Sequence, residues 1–253
     1  MASIINASTT STSGLVYSAD ASGVLQLQSN GTTGLTVGSG GVVTAANGMV
    51  FSSMTLGSAT AGEFEYDGRV PYFTPLGTQR GVVPGMQYYR LNSDLVGANV
   101  NTAQNIFGVG ATVSAGTVYK YEIRAAFTKS AGTTTHALQF GFGGTATVNN
   151  IFSDCRVTFT SAGINSAITG STTQGAVSTQ AGFVTVTNSS ATAGLLCSMY
   201  ISGSVSINGG GTFIPQYQLT AAPGGAYTTL TGAYVMIYPV GASGSNVSVG
   251  SWA

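Results

Sequence analysis

Three carboxylates at alternate positions, Glu63, Glu65 and Asp67, are the densest group of chemically able side chains in this sequence. Residues two apart in an extended strand share a face, so the three could converge on a divalent cation, which prefers oxygen ligands. The competing arrangements are a solvated strand edge, or pairing with Arg69 and Arg80, which follow closely. One of these is expected, and no metal is assigned. A glycosidase-type pair drawn from Glu63, Glu65, Asp94, Glu122 and Asp154 is the other conceivable carboxylate chemistry. Polysaccharide-cleaving enzymes of that kind often stand on long parallel β-helices, and the repeat pattern of a β-helix is missing here.

His136 is the single histidine, and strand alternation puts it on one face with Leu138, Phe140 and Phe142. A histidine on an apolar face is expected to be a satisfied core residue rather than a catalyst. No Gly-x-Ser-x-Gly elbow offers it a nucleophile. Gly141, Gly143 and Gly144 have no following lysine or helix to make a phosphate cradle, and Gly108-Val109-Gly110 lacks a third glycine at dinucleotide spacing. Cys155 and Cys197 each fall on an apolar strand face, the first with Val157 and Phe159, the second with Leu195, Met199 and Ile201. Both are expected as inert buried thiols, and two thiols with one imidazole are too few for a zinc site. No catalytic residue, cofactor or metal is therefore assigned, and the chain is expected not to be an enzyme. Tyr88, Tyr89, Tyr217, Tyr227, Tyr234, Tyr238 and Trp252 have two open readings, contact with a partner or sugar and ordinary sheet packing.

The elements that must position these groups are strands. Thr117 to Thr128 is the clearest, with Tyr119, Tyr121, Ile123, Ala125 and Phe127 alternating with Lys120, Glu122 and Arg124. Further strands are expected over His136 to Phe142, Thr145 to Phe152, Cys155 to Thr160, Phe183 to Thr187, Leu195 to Ile207, Thr212 to Leu219 and Ala233 to Val240. Glycine-rich breaks between them and the lack of any long helical period predict an all-β, antiparallel sandwich of jelly-roll type over 101–253. Ahead of it, Glu63 to Phe73 reads as a small hairpin turning at Asp67-Gly68, within a connector over 63–100. The first 62 residues read as an extended attachment arm of short strands, with turns at Asn30-Gly31 and Gly38 to Gly41.

Charge sharpens this organisation. Only 6% of the residues are charged, balancing to zero, and Val157 to Ala253 contains no Lys, Arg, Asp or Glu. A surface so poor in charge resists self-association weakly, which points to life inside an assembly, and strands facing a trimer axis would explain the missing charge. No basic patch suits nucleic acid, and no long apolar run suits a membrane. Met1 to Thr12 lacks the pattern of a secretory signal, so synthesis in a cytoplasm without export is expected.

The segments Gly14-Leu15-Val16, Ala19 to Gln28, Asn30 to Thr33, Leu35-Thr36-Val37 and Gly62 to Gly68 resemble recurrent segments of tailed-bacteriophage virion proteins. Tail fibres and head decoration proteins are among them. The strand order and spacing of the sandwich are similar to the trimer-forming jelly rolls of the tumour-necrosis-factor and complement-C1q type. The resemblance implies a non-enzymatic homotrimer located in the virion and made in the host cytoplasm. As a capsid decoration or cement protein it would contact the major capsid protein. The alternatives are a tail-fibre or receptor-binding protein, which would contact a tail protein and host-surface polysaccharide, and a polysaccharide depolymerase.

Overall fold

The computed structural model describes residues 24–29, 32–46, 48–129, 131–160, 170–174, 182–187, 191 and 195–244. Among them there is no helix, and every strand pairing is antiparallel. The chain divides into two units, Met1–Ser52 and Ser53–Ala253.

In the first unit, β1 (Leu25–Ser29), β2 (Thr32–Val37) and β3 (Val43–Ala45) form a three-stranded sheet in chain order. The expected turn at Gly38 to Gly41 is present: the Gly38 amide donates to Val42 O at 2.8 Å and the Gly41 amide to Gly38 O at 2.9 Å. Gly41 sits at a φ of 77°, a conformation that residues with a Cβ adopt reluctantly. The expected turn at Asn30-Gly31 lies outside the described residues.

The second unit opens with β4 (Phe64–Tyr66), β5 (Pro71–Phe73) and β6 (Gly81–Val82), a three-stranded sheet where a two-stranded hairpin was expected. The remaining strands are β7 (Gln87–Arg90), β8 (Leu95–Val96), β9 (Gln104–Asn105), β10 (Ala111–Val113), β11 (Thr117–Lys129) and β12 (Leu138–Gly143). They are followed by β13 (Thr147–Thr160), β14 (Gly170–Gln174), β15 (Val184–Thr185), β16 (Leu195–Gly209), β17 (Gly211–Leu219), β18 (Thr228–Thr229) and β19 (Tyr234–Ala242). One sheet of eight strands runs β14-β13-β16-β11, with β18 and β19 along the far edge of β11 and β8 and β7 outside those. A sheet of five runs β15-β12-β17, with β9 and β10 along the free edge of β17.

The two sheets pack face to face through the residues that the alternation marks as apolar. In β11, Tyr119, Tyr121, Ile123, Ala125 and Phe127 are all buried. Their rings cross to the other sheet, Tyr121 lying 5.3 Å from Phe142 and Phe127 5.2 Å from Tyr217 between centroids. Beside Tyr121, β16 carries Gly203, where any Cβ would overlap Phe152 O and the Tyr121 ring. The space it leaves lets the Tyr121 hydroxyl donate to Phe152 O at 2.8 Å and lie 2.5 Å from Ser153 Oγ.

Two expectations change. The predicted strands over Thr145 to Phe152 and Cys155 to Thr160 are one, because Ser153 turns inward to Tyr121 instead of breaking the strand. β7 and β8, inside the expected connector, belong to the eight-stranded sheet, so the sandwich reaches back to Gln87. All four β7 side chains are exposed at the sheet edge, which is why they lack an apolar period. The inward half of the uncharged block after Arg156 is accounted for within one chain. β16 lies between β13 and β11, and β17 between β12 and the β9–β10 edge, so their inward residues Met199, Ile201, Val205, Phe213, Tyr217 and Leu219 form the core.

Candidate functional site

Charge in the sandwich collects on the outer face of the eight-stranded sheet. Because Tyr121 and Ile123 point inward, Lys120, Glu122 and Arg124 point outward, and the register carries their neighbours to the same side. Arg124 stands opposite Tyr234 on β19 and opposite Tyr200 on β16; Tyr234 stands opposite Arg90, and Tyr200 opposite Arg156. One row across five strands therefore reads Arg90, Tyr234, Arg124, Tyr200, Arg156. The next row places Tyr88, Met236, Glu122, Ser202 and Asp154 alongside.

Side-chain contacts hold this row in place. The Arg124 guanidinium lies 4.2 Å over the Tyr200 ring, and Tyr88 stacks on Tyr234 at 5.6 Å. Glu122 accepts from the Tyr234 hydroxyl at 2.7 Å and the Tyr200 hydroxyl at 3.4 Å. The bond to Glu122, ahead of burial, raises the Tyr234 phenol above its ordinary pKa and keeps it a donor. Arg156 pairs with Asp154 at 3.2 Å on the exposed face. Arg90 donates to Asn92 Oδ1 at 2.6 Å. Among the described residues, Arg90, Lys120 and Arg124 have no carboxylate in ion-pair contact.

The carboxylates singled out in the sequence do not converge. Glu65 is buried and ion-paired with Arg80 at 2.6 Å, whereas Phe64 is 43% exposed. Of the two arrangements expected, a solvated edge or pairing with Arg69 and Arg80, the pairing with Arg80 is present, and it lets the acid-bearing face turn inward at Glu65. Glu63 Oε2 accepts the Thr60 amide at 3.1 Å. Asp67 Oδ1 closes the turn by accepting the Arg69 and Val70 amides at 2.7 and 2.8 Å, and Oδ2 accepts from Tyr72 at 2.9 Å. Burial alone would raise the Asp67 carboxyl, but those donors outweigh it and leave the group below its ordinary value. No group of three His, Cys, Asp or Glu side chains gathers at one point among the described residues. Asp94 accepts the Thr231 amide at 2.7 Å, away from the others. Glu122 and Asp154 share a row two strands apart, roughly 10 Å, on an open face without the apolar pocket that keeps a general acid protonated.

The buried candidates behave as core. Cys155 and Cys197 are free thiols, each pushed up to about 12 by burial. Tyr217 and Tyr227 are buried, while Tyr88, Tyr234 and Tyr238 belong to the outer face and Tyr89 packs edge-on to Phe107 at 6.3 Å. Trp252 lies outside the described residues. An apolar cavity of about 220 Å³ between the sheets is lined by Tyr89, Tyr121, Ile123, Phe213 and Ile237, and no charged side chain borders it.

His136 is 3% exposed, with Nδ1 at 2.7 Å from Thr134 O and Nε2 at 2.7 Å from the Tyr227 hydroxyl. A carbonyl can only accept, so Nδ1 carries the proton and Nε2 accepts from Tyr227. Burial holds the imidazole below its ordinary pKa; the Thr134 bond opposes this and the Lys129 charge reinforces it. The unfolded chain therefore binds a proton that the fold excludes, and stability falls as pH drops below about 6.5 toward the depressed folded value. Denaturation midpoints measured between neutral and acidic pH are expected to show this slope in the native chain and to lose part of it in His136→Gln.

Sequence reasoning missed Arg90, Tyr200 and Arg156 as neighbours of Arg124. They are distant in the chain, and only the strand register brings them into one row. No protein-family model and no curated protein matches the chain. Among solved structures it is similar to the crystal structure of the infectious bursal disease virus VP2 subviral particle, with 13% sequence identity and a TM-score of 0.16. That match covers 68% of this chain and 45% of the other, so the chain spans less than half the length of that neighbour, and a score so low carries no conclusion about fold or activity.

Proposed function

We propose that the chain is a non-enzymatic structural protein of a bacteriophage virion, a homotrimeric decoration or cement protein of the capsid exterior. The observation that carries this reading is the apolar surface of the N-terminal region. Leu25 is 57% exposed, Val42 67%, Val43 58% and Val50 97%. A three-stranded sheet of this size cannot bury a core of its own, so these side chains are covered by the particle or by neighbouring copies.

The sandwich supports the same reading. Its strands alternate between two antiparallel sheets, β11, β13, β16 and β19 in one and β12 and β17 in the other, as jelly-roll-type sandwiches do. The outer face of the five-stranded sheet carries Gln139, Thr185, Ile214, Gln216 and Gln218 and no charge, so copies can meet there without stranding an ion. The charged face of the other sheet is left for the exterior.

Light scattering is expected to give the mass of three chains; a stable monomer at micromolar concentration overturns the trimer. Deleting residues 1–52 is expected to leave a soluble, folded sandwich that no longer joins particles, because the core cluster of the sandwich is made of residues of the second unit. If the deletion unfolds the remainder, the two share one core and the attachment role fails. Electron microscopy of intact particles reads the location. Many copies over the shell fit decoration, and a few at the tail replace it with the fibre alternative.

A further inference from the structure

We propose that the row Arg90, Tyr234, Arg124, Tyr200, Arg156 is a binding track for an acidic polysaccharide lying across the strands of the eight-stranded sheet. The inference goes beyond a structural role, since a decoration protein needs no such track.

Three observations select this occupant. The first is charge. The face holds four cations, Arg90, Lys120, Arg124 and Arg156, against two carboxylates, Glu122 and Asp154, a local excess of positive charge on a chain whose formal charges sum to zero as a whole. Glu122 keeps its charge while accepting from two tyrosine hydroxyls, and Asp154 offsets Arg156, so three cations stand against one carboxylate. The excess therefore rests on Arg90, Lys120 and Arg124, and it favours an anion. A second copy of the same face would bring the same excess and repel it.

The second observation is spacing. Successive arginines in the row are two strands apart, roughly 10 Å, which approximates one disaccharide of an extended chain. A polymer with one carboxylate in each disaccharide can meet Arg90 and Arg124 in turn, and Arg156 where it displaces Asp154. The third is what lies between the arginines. Tyr234 and Tyr200 alternate with them, half-buried rings whose hydroxyls donate to Glu122 and whose oxygens can still accept from a sugar hydroxyl. Arg124 is already stacked on Tyr200, so little side-chain freedom is lost when its fork meets a carboxylate.

The test uses the full chain and hyaluronan, which carries one uronate per disaccharide, with dextran as the neutral sugar and poly-glutamate as a polyanion without rings. Titration calorimetry is expected to show binding to hyaluronan that weakens with salt, weaker binding to poly-glutamate and none to dextran. Arg124→Ala is expected to weaken hyaluronan binding about tenfold or more, as befits loss of a charge-assisted contact. Tyr200→Ala is expected to weaken hyaluronan while leaving poly-glutamate unchanged. Arg124 is exposed, so its variant should fold, and unchanged light scattering and thermal midpoint check that it has. Three results overturn the proposal: no binding to hyaluronan, equal binding to hyaluronan and poly-glutamate, or full binding by folded Arg124→Ala. None of them bears on the trimer or on attachment by the N-terminal unit, which are read by mass and by particle binding.

Discussion

Phe127→Ala is expected to lower the unfolding free energy by about 3 to 5 kcal/mol, while Lys120→Ala on the same strand costs less than about 1. Phe127 is fully buried, with its ring 5.2 Å from Tyr217 on the facing sheet and 6.5 Å from Tyr227. Truncating it removes the transfer energy of the ring and leaves a cavity between two rigid sheets that collapse poorly onto it. Lys120 lies seven positions earlier on the opposite face and is exposed, so its loss removes solvated methylenes and one charge. Urea denaturation at one fixed protein concentration measures both, since any association makes apparent stability depend on concentration. Equal losses would mean that β11 is buried on both faces.

The contrast between these two residues was legible in the sequence because a period of two is a local signal. Thirteen residues of β11 alternate without a break, and the structure keeps that alternation from Thr117 to Lys129. Lys129 itself is less expected. It continues the buried face, with Nζ donating to Gly132 O at 2.9 Å and burial holding its pKa below the ordinary value. The candidate site was legible only in part. Arg124 and its outward direction follow from the alternation, but nothing local shows that Arg90, 34 positions earlier, and Arg156, 32 positions later, end in its row. That placement depends on which strands pair and in what register, and register is set by the burial of a whole face together with the turns between strands. Short edge strands were lost for a related reason. β8, β9 and β18 are two residues long, and two residues make no pattern.

The Glu63 to Asp67 strand shows a different limit, in which a clear local pattern left a solvated edge and pairing with Arg80 both open, and it carries the other large prediction. Alternation correctly separates the acids from Phe64 and Tyr66, yet the choice of which face meets solvent depends on a residue 15 positions away. Arg80 brings its Nε to 2.6 Å from Glu65 Oε2 and its Nη2 to 2.8 Å from Gly57 O, and the Gly57 amide lies 3.3 Å from Glu65 Oε1. The carboxylate, whose side chain is 1% exposed, is thereby hydrogen-bonded on both oxygens. Arg80→Ala is expected to destabilise this small sheet by about 3 to 5 kcal/mol, because it leaves a buried carboxylate without its counter-charge. Replacing both partners, as in Glu65→Leu with Arg80→Leu, should recover most of that loss, since an apolar pair of similar volume needs no solvation. Hydrogen exchange at the amides of β4 and β5 reads the local effect apart from the sandwich. If Arg80→Ala and the double variant exchange alike, the pair adds nothing that packing does not, and the inward turn of Glu65 must be set by the turn at Asp67 instead.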